Sequence, residues 1–180
     1  MELKIYQQEA LNTLTLFCKN YKESSGKVEE AFNNTLKNSE QFSEPYEPYL
    51  KVKESTSPYI CIRIPTGGGK TLIAAKSLKP VIQELYENDK TFLVIWLAPK
   101  DIIVNQTIKA LKNPKHPYRK AIDEDFPSTS INVMKLKDAL TNTYNKKTDI
   151  TILVGSMQSF NVGNDDIRKF YYLRAPLKIE

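Results

Sequence analysis

The sequence predicts an α/β fold with a parallel sheet flanked by helices, and three features carry that prediction. Short, nearly all-apolar runs recur along the chain, helical patterns separate them, and a glycine-rich loop stands where one run meets a helix. Its 180 residues suit one domain, typically on the order of 100–200 residues, with a core of its own.

Hydrophobic residues make up 41% and charged residues 26%, which places the chain among ordinary globular proteins. No apolar run approaches the roughly 18 residues that a membrane-spanning helix needs. The N-terminus has Glu2 where a signal peptide would be basic, and no long apolar stretch follows, so a cytoplasmic protein without a membrane partner is expected. Cys18 and Cys61 lie far apart and are expected as reduced thiols. With the single His116 they make no zinc-type spacing. A net charge of +5 and a pI near 9.0 lean gently towards a polyanionic partner such as nucleic acid.

Residues 1–18 form an N-terminal helical segment, with Leu3, Tyr6, Ala10, Leu11, Leu14 and Phe17 spaced to give one buried stripe. Residues 19–57 turn polar and read as an insertion, with Ser24-Ser25-Gly26, a candidate helix over 28–36, and the repeated Pro45-Tyr46 and Pro48-Tyr49. Residues 58–180 hold the α/β pattern. A β-prone run at 59–64 ends in the glycine loop, and a helix is expected over 72–86. The run 91–97 has the apolar character of a strand covered on both faces. A helix over 101–111, strands at 130–136 and 149–154, and a helix near 165–172 follow, with no internal repeat.

The loop Thr66-Gly67-Gly68-Gly69-Lys70-Thr71 is the strongest signal. Consecutive glycines let the backbone curl so that its N–H groups point inward at an anion. A helix starting at the loop adds unpaired N–H groups and its positive dipole end. Lys70 supplies a point charge for the β- and γ-phosphates, and Thr71 offers a hydroxyl to Mg²⁺, a hard cation that takes oxygen ligands. The full eight-residue pattern asks for glycine at its first position, where this chain has Ile64. The expected cofactors are therefore a nucleoside triphosphate and Mg²⁺. Such loops serve kinases, GTPases, transporters and motors alike.

Three further segments narrow the choice. Leu3-Lys4-Ile5-Tyr6-Gln7-Gln8-Glu9-Ala10 resembles the glutamine motif ahead of the phosphate loop in superfamily 2 helicases. Trp96-Leu97-Ala98-Pro99-Lys100, continuing to Gln106-Thr107, is similar to that family's second motif, an apolar strand ending in Ala-Pro before a helix. Ile152-Leu153-Val154-Gly155-Ser156-Met157-Gln158-Ser159-Phe160 is similar to a later strand-to-loop motif. With Pro58–Thr71 and His116-Pro117-Tyr118-Arg119, the chain resembles the DEAD/DEAH-type ATPase region of type III restriction enzyme Res subunits. The resemblance spans both ends of the chain apart from the polar insertion.

That resemblance implies a partial RecA-like P-loop domain with ATP as the nucleotide. It makes Gln7 the adenine reader, and Thr66, Gly67, Gly68, Gly69, Lys70 and Thr71 the triphosphate and Mg²⁺ site, with Lys70 and Thr71 acting in catalysis. Pro99, Lys100, Ser156 and Gln158 fall on the nucleic-acid face. Double-stranded DNA, and a modification (methyltransferase) subunit, are the implied partners. The implied activity is ATP hydrolysis coupled to movement along or remodelling of DNA, as a helicase or translocase.

Hydrolysis also needs a carboxylate at a strand's C-terminal end to hold Mg²⁺ and a second acid to position water. The family supplies these in an Asp-Glu-Ala-His box, which is not found here. Asp149 lies at the start of its strand, and Asp123-Glu124 follows too short a run. The 180 residues are accordingly expected to be part of a longer motor and inactive alone. The alternative is a nucleotide- or nucleic-acid-binding module without turnover. A small-molecule kinase would need a lid and an acceptor site, of which the sequence gives no sign.

Overall fold

The computed structural model describes residues 2–37, 58–86, 91–141 and 149–156. The chain divides into two compact units, Met1–Asn88 and Asp89–Glu180.

In the first unit, α1 (Ile5–Glu23) buries Leu11, Leu14 and Phe17 of the expected stripe, with Cys18 beside them, while Tyr6 and Ala10 are half-buried. The helix runs on past residue 17, turns through Ser25 and Gly26 at positive φ, and leads into α2 (Val28–Leu36). Leu14, Phe17, Cys18 and Ala31 form a core cluster, with Tyr21, Val28, Phe32, Val81 and Leu85 packed around it. The first part of the segment read as a polar insertion is thus a helical hairpin, held by an apolar face that its polar composition conceals. Residues 38–57 lie outside the described residues.

The helix expected over 72–86 is divided into α3 (Lys70–Lys76) and α4 (Leu78–Leu85). Pro80 explains the break, because it has no N–H for the Lys76 carbonyl and its ring crowds that oxygen. Ser77 stands at the joint and donates its hydroxyl to the Ala74 carbonyl at 2.8 Å.

The strand expected at 59–64 is not formed. Residues 58–65 are irregular, with Tyr59, Ile60 and Ile62 exposed. A β-prone run becomes a strand only when a neighbour takes up its N–H and C=O groups. Among the described residues this run has no ladder partner.

The second unit is built on a three-stranded parallel sheet in the order β1-β3-β2. The strands are β1 (Phe92–Ala98), β2 (Ile131–Lys135) and β3 (Ile150–Ser156), each within a residue or two of its expected place. β3 is buried along its whole length, as a central parallel strand must be. Cover on both faces was expected at 91–97 instead, and there the structure differs. Leu93, Ile95 and Leu97 are 37%, 40% and 42% exposed, while Phe92, Val94 and Trp96 are half-buried. The short α7 (Leu136–Thr141) explains the difference, since Leu136 and Ala139 pack on Leu153 and cover β3 and β2. Among the described residues β1 lies at an edge of the sheet.

The long α5 (Asp101–Lys112) contacts all three strands and buries Val104, Thr107, Ala110 and Leu111. α6 (Pro117–Asp125) follows, with Pro117 in its first turn and the His116 ring nitrogen Nδ1 accepting the Tyr118 N–H at 3.3 Å. Arg119 donates to the Leu111 carbonyl at 3.2 Å and pairs with Asp123 at 2.7 Å. It therefore ties α6 to the end of α5, unlike its exposed neighbours Lys109, Lys112, Lys115 and Lys120. The helix expected near 165–172 lies outside the described residues. Among the described residues no helix is long and apolar enough to cross a membrane.

At the N-terminal edge of the sheet, Ser130 donates its N–H (2.8 Å) and hydroxyl (2.9 Å) to the Asp149 carboxylate. The Asp149 N–H returns a bond to the Ser130 hydroxyl, and its carbonyl accepts from Phe92. Asp149 thereby clasps all three strands at their start.

Two expectations follow for the folded chain. The Ser130 backbone N–H, and then its hydroxyl, hold the Asp149 carboxyl below the ordinary aspartate value. A depressed folded-state pKa stabilises above the unfolded value, and this is lost as pH falls through the folded one. Asp149→Ala should lower the melting temperature at neutral pH, and the gap from the parent should close below about pH 4. Thermal melts across that range check it. Burial, and secondarily Glu84, pushes the Cys18 thiol up to about 11, whereas Cys61 is exposed. A thiol reagent at about pH 8 should modify Cys61 promptly and Cys18 only after denaturant is added.

Candidate nucleotide site

The glycine loop belongs to the first unit. Gly67 (φ 77°) and Gly69 (φ 81°) lie in the left-handed region that only glycine adopts freely. Between them, the Gly68 N–H closes a turn onto the Pro65 carbonyl at 3.0 Å. Gly69 is the N-cap of α3, so Lys70 and Thr71 occupy its first turn, where backbone N–H groups have no partner within the helix. Lys70 is exposed, Thr71 is half-buried and Thr66 is exposed.

Gln7 is the residue that ties this loop down. It is 5% exposed and is the third residue of α1. Its Oε1 accepts the Lys4 N–H at 3.0 Å, the glutamine half of a capping box. Its Nε2 donates to the Gly68 carbonyl at 2.9 Å, across 61 residues of sequence. A backbone N–H can only donate and a carbonyl can only accept, so the two partners set which way the amide faces. Tyr6 adds a second donor, its hydroxyl reaching the same Gly68 carbonyl at 3.0 Å.

A cavity of about 560 Å³ opens nearby on the same unit, lined by Glu2, Leu3, Ile5, Gln8, Glu9 and Lys76. Gln7 is not part of its wall, because its amide is turned to the loop. From the sequence Tyr6 is only a member of the apolar stripe, and its hydroxyl contact with the loop is not foreseen. The signal available was Gln7 three residues after Lys4, the N-cap of α1, the spacing of a capping box and hence of an ordered α1 N-terminus beside Tyr6.

In the second unit, the register sets Ala98 beside Ser156 at the carboxyl ends of β1 and β3. Pro99 and Lys100, both exposed, follow β1 at this edge. Ser156 is 1% exposed and donates its hydroxyl to the Asp101 carboxylate at 2.9 Å. Asp101, at the first position of α5, joins the two strand ends and was also missed from the sequence. Gln158 lies outside the described residues.

The donor set suits Mg²⁺-triphosphate in kind: a threonine hydroxyl for a hard cation, one exposed ammonium group, and a loop curled through two left-handed glycines. Among the described residues no three or more His, Cys, Asp and Glu side chains are grouped to hold a metal ion. Residues 1–173 match the family model described as type III restriction enzyme, res subunit. No curated protein and no solved structure matches the chain.

The two outer glycines should differ in their tolerance of a side chain. A Cβ on Gly67 meets nothing within 4 Å, so Gly67→Ala should cost only its left-handed backbone, about 1 kcal/mol. A Cβ on Gly69 would stand 2.6 Å from the Gln7 Nε2. Gly69→Ala should therefore also displace the buried amide, at about 1–3 kcal/mol more. Urea midpoints falling in the order parent, Gly67→Ala, Gly69→Ala check this, and equal midpoints for the two variants would contradict it.

Proposed function

This chain belongs to the type III restriction enzyme Res subunit family, and from that premise we propose that it is the ATP-binding part of an ATP-dependent DNA helicase or translocase. One observation carries the proposal. Two left-handed glycines bracket a turn that is held by α1 and delivers Lys70 and Thr71 to the first turn of α3.

In this reading the loop amides and the free N–H groups of α3 receive the β- and γ-phosphates. The Lys70 ammonium offsets charge on the γ-phosphoryl group, and the Thr71 hydroxyl is an oxygen ligand for Mg²⁺. Thr66 and Gly67, Gly68 and Gly69 supply the curled backbone. Gln7 reads the adenine edge with its amide. Bound ATP and Mg²⁺ supply phosphoryl-transfer chemistry, and the chain's own residues bind and orient.

DNA is proposed to meet the carboxyl edge of the sheet, where Pro99 and Lys100 follow β1 and Ser156 closes β3. The exposed Lys100 suits a phosphate contact there. Gln158 is proposed for the same face from its motif. Duplex DNA as the track, a methyltransferase subunit as a partner, and a cytoplasmic setting are proposed from the family.

Lys70→Ala should lower affinity for a non-hydrolysable ATP analogue with Mg²⁺ by about tenfold or more, the usual scale for a charged hydrogen bond. Because Lys70 is exposed, the melting temperature should stay near that of the parent. Calorimetric titration checks the loss, and unchanged affinity would refute the site.

A further inference from the structure

The Gly68 carbonyl carries two side-chain donors, the Tyr6 hydroxyl at 3.0 Å and the Gln7 amide at 2.9 Å. These fill both lone pairs of the oxygen. Either donor alone would keep this oxygen partnered, so release of one leaves the other in place.

A glutamine that reads adenine presents its donor and its acceptor to the base together. In the folded chain both groups already have partners, Lys4 and Gly68, and the side chain is 5% exposed. A base must therefore draw the amide away from the loop. Gly68 is buried, and a buried carbonyl left without a partner is costly. Tyr6 sits one residue earlier on α1, and its phenol is half-buried against the same oxygen.

We propose that Tyr6 is a positioning residue of the phosphate loop: it holds the Gly68 carbonyl when adenine takes Gln7, so that base recognition does not loosen the triphosphate cradle. This role presupposes the triphosphate reading of the loop. It adds a distinct consequence, that the need for the Tyr6 hydroxyl depends on whether the ligand has a base. With tripolyphosphate, Gln7 stays on Gly68 and Tyr6 is dispensable. With an ATP analogue, Tyr6 is the remaining side-chain anchor.

The test is calorimetric titration of the whole chain with Mg²⁺ and either a non-hydrolysable ATP analogue or inorganic tripolyphosphate. Tyr6→Phe should lose about fivefold to tenfold in affinity for the ATP analogue and less than about twofold for tripolyphosphate. A purely structural role would weaken both probes alike, and equal losses, or none for the ATP analogue, overturn the proposal. Lys70→Ala separates the two levels of inference. If it abolishes uptake of both probes while Tyr6→Phe matches the parent, the loop stands and the Tyr6 role falls. If the parent binds neither probe, both fall. A second measurement guards against a folding artefact: with Gln7→Ala as background, adding Tyr6→Phe should weaken both probes by the same factor, and a base-dependent difference there would overturn the exchange.

Discussion

The Gly68 carbonyl is held from α1 by two side chains, and the shape of the glycine loop depends on that hold. Glycine-rich backbone is the most costly kind to immobilise, because it has the most freedom to lose. A turn closed only by the Gly68 N–H on Pro65 leaves Gly67 and Gly69 with little to restrain them. The amide of Gln7 supplies the restraint across 61 residues. It does so from a rigid base, since its other end caps the helix it stands on. The N-terminal helix is therefore part of the site itself. A single hydrogen bond contributes about 1 kcal/mol net, but removing one partner of a buried pair costs more than the bond contributed.

The same division between backbone shape and side-chain restraint recurs in the second unit. The parallel sheet places its strand ends in line, and side chains then join them. Asp149 gathers the strand starts through Ser130, and Asp101 links the carboxyl ends through Ser156. An aspartate that looks, from sequence, like a candidate metal ligand at the wrong end is a clasp between neighbouring strands. Among the described residues, the exposed Leu93, Ile95 and Leu97 lie beyond the reach of the short α7, which contacts β2 and β3.

Much of the fold was legible because periodicity reports burial. Alternation of apolar and polar positions at a helical period located α1 and α5, and apolar runs located β1, β2 and β3. α6 and α7 were missed for a physical reason. Each is short, and α6 is organised by the His116 cap, Pro117 and Arg119 rather than by an apolar stripe. The run at 59–64 was misread because propensity describes what a segment tolerates, while a strand requires a neighbour. The break at Ser77 was legible in principle, since Pro80 announces a missing donor.

By itself the sequence determined where the glycine loop, much of the buried stripe of α1 and three of the four expected strands would fall, because glycine, proline and apolar spacing act through local sterics and solvent exclusion. It also carried the family, through motifs kept in order along the chain. Tertiary structure alone decided that Gln7 and Tyr6 converge on one carbonyl, that Ser156 donates to Asp101, and that β3 rather than β1 is the covered strand. Those outcomes depend on groups far apart in the chain meeting at hydrogen-bond distance, which no local pattern encodes.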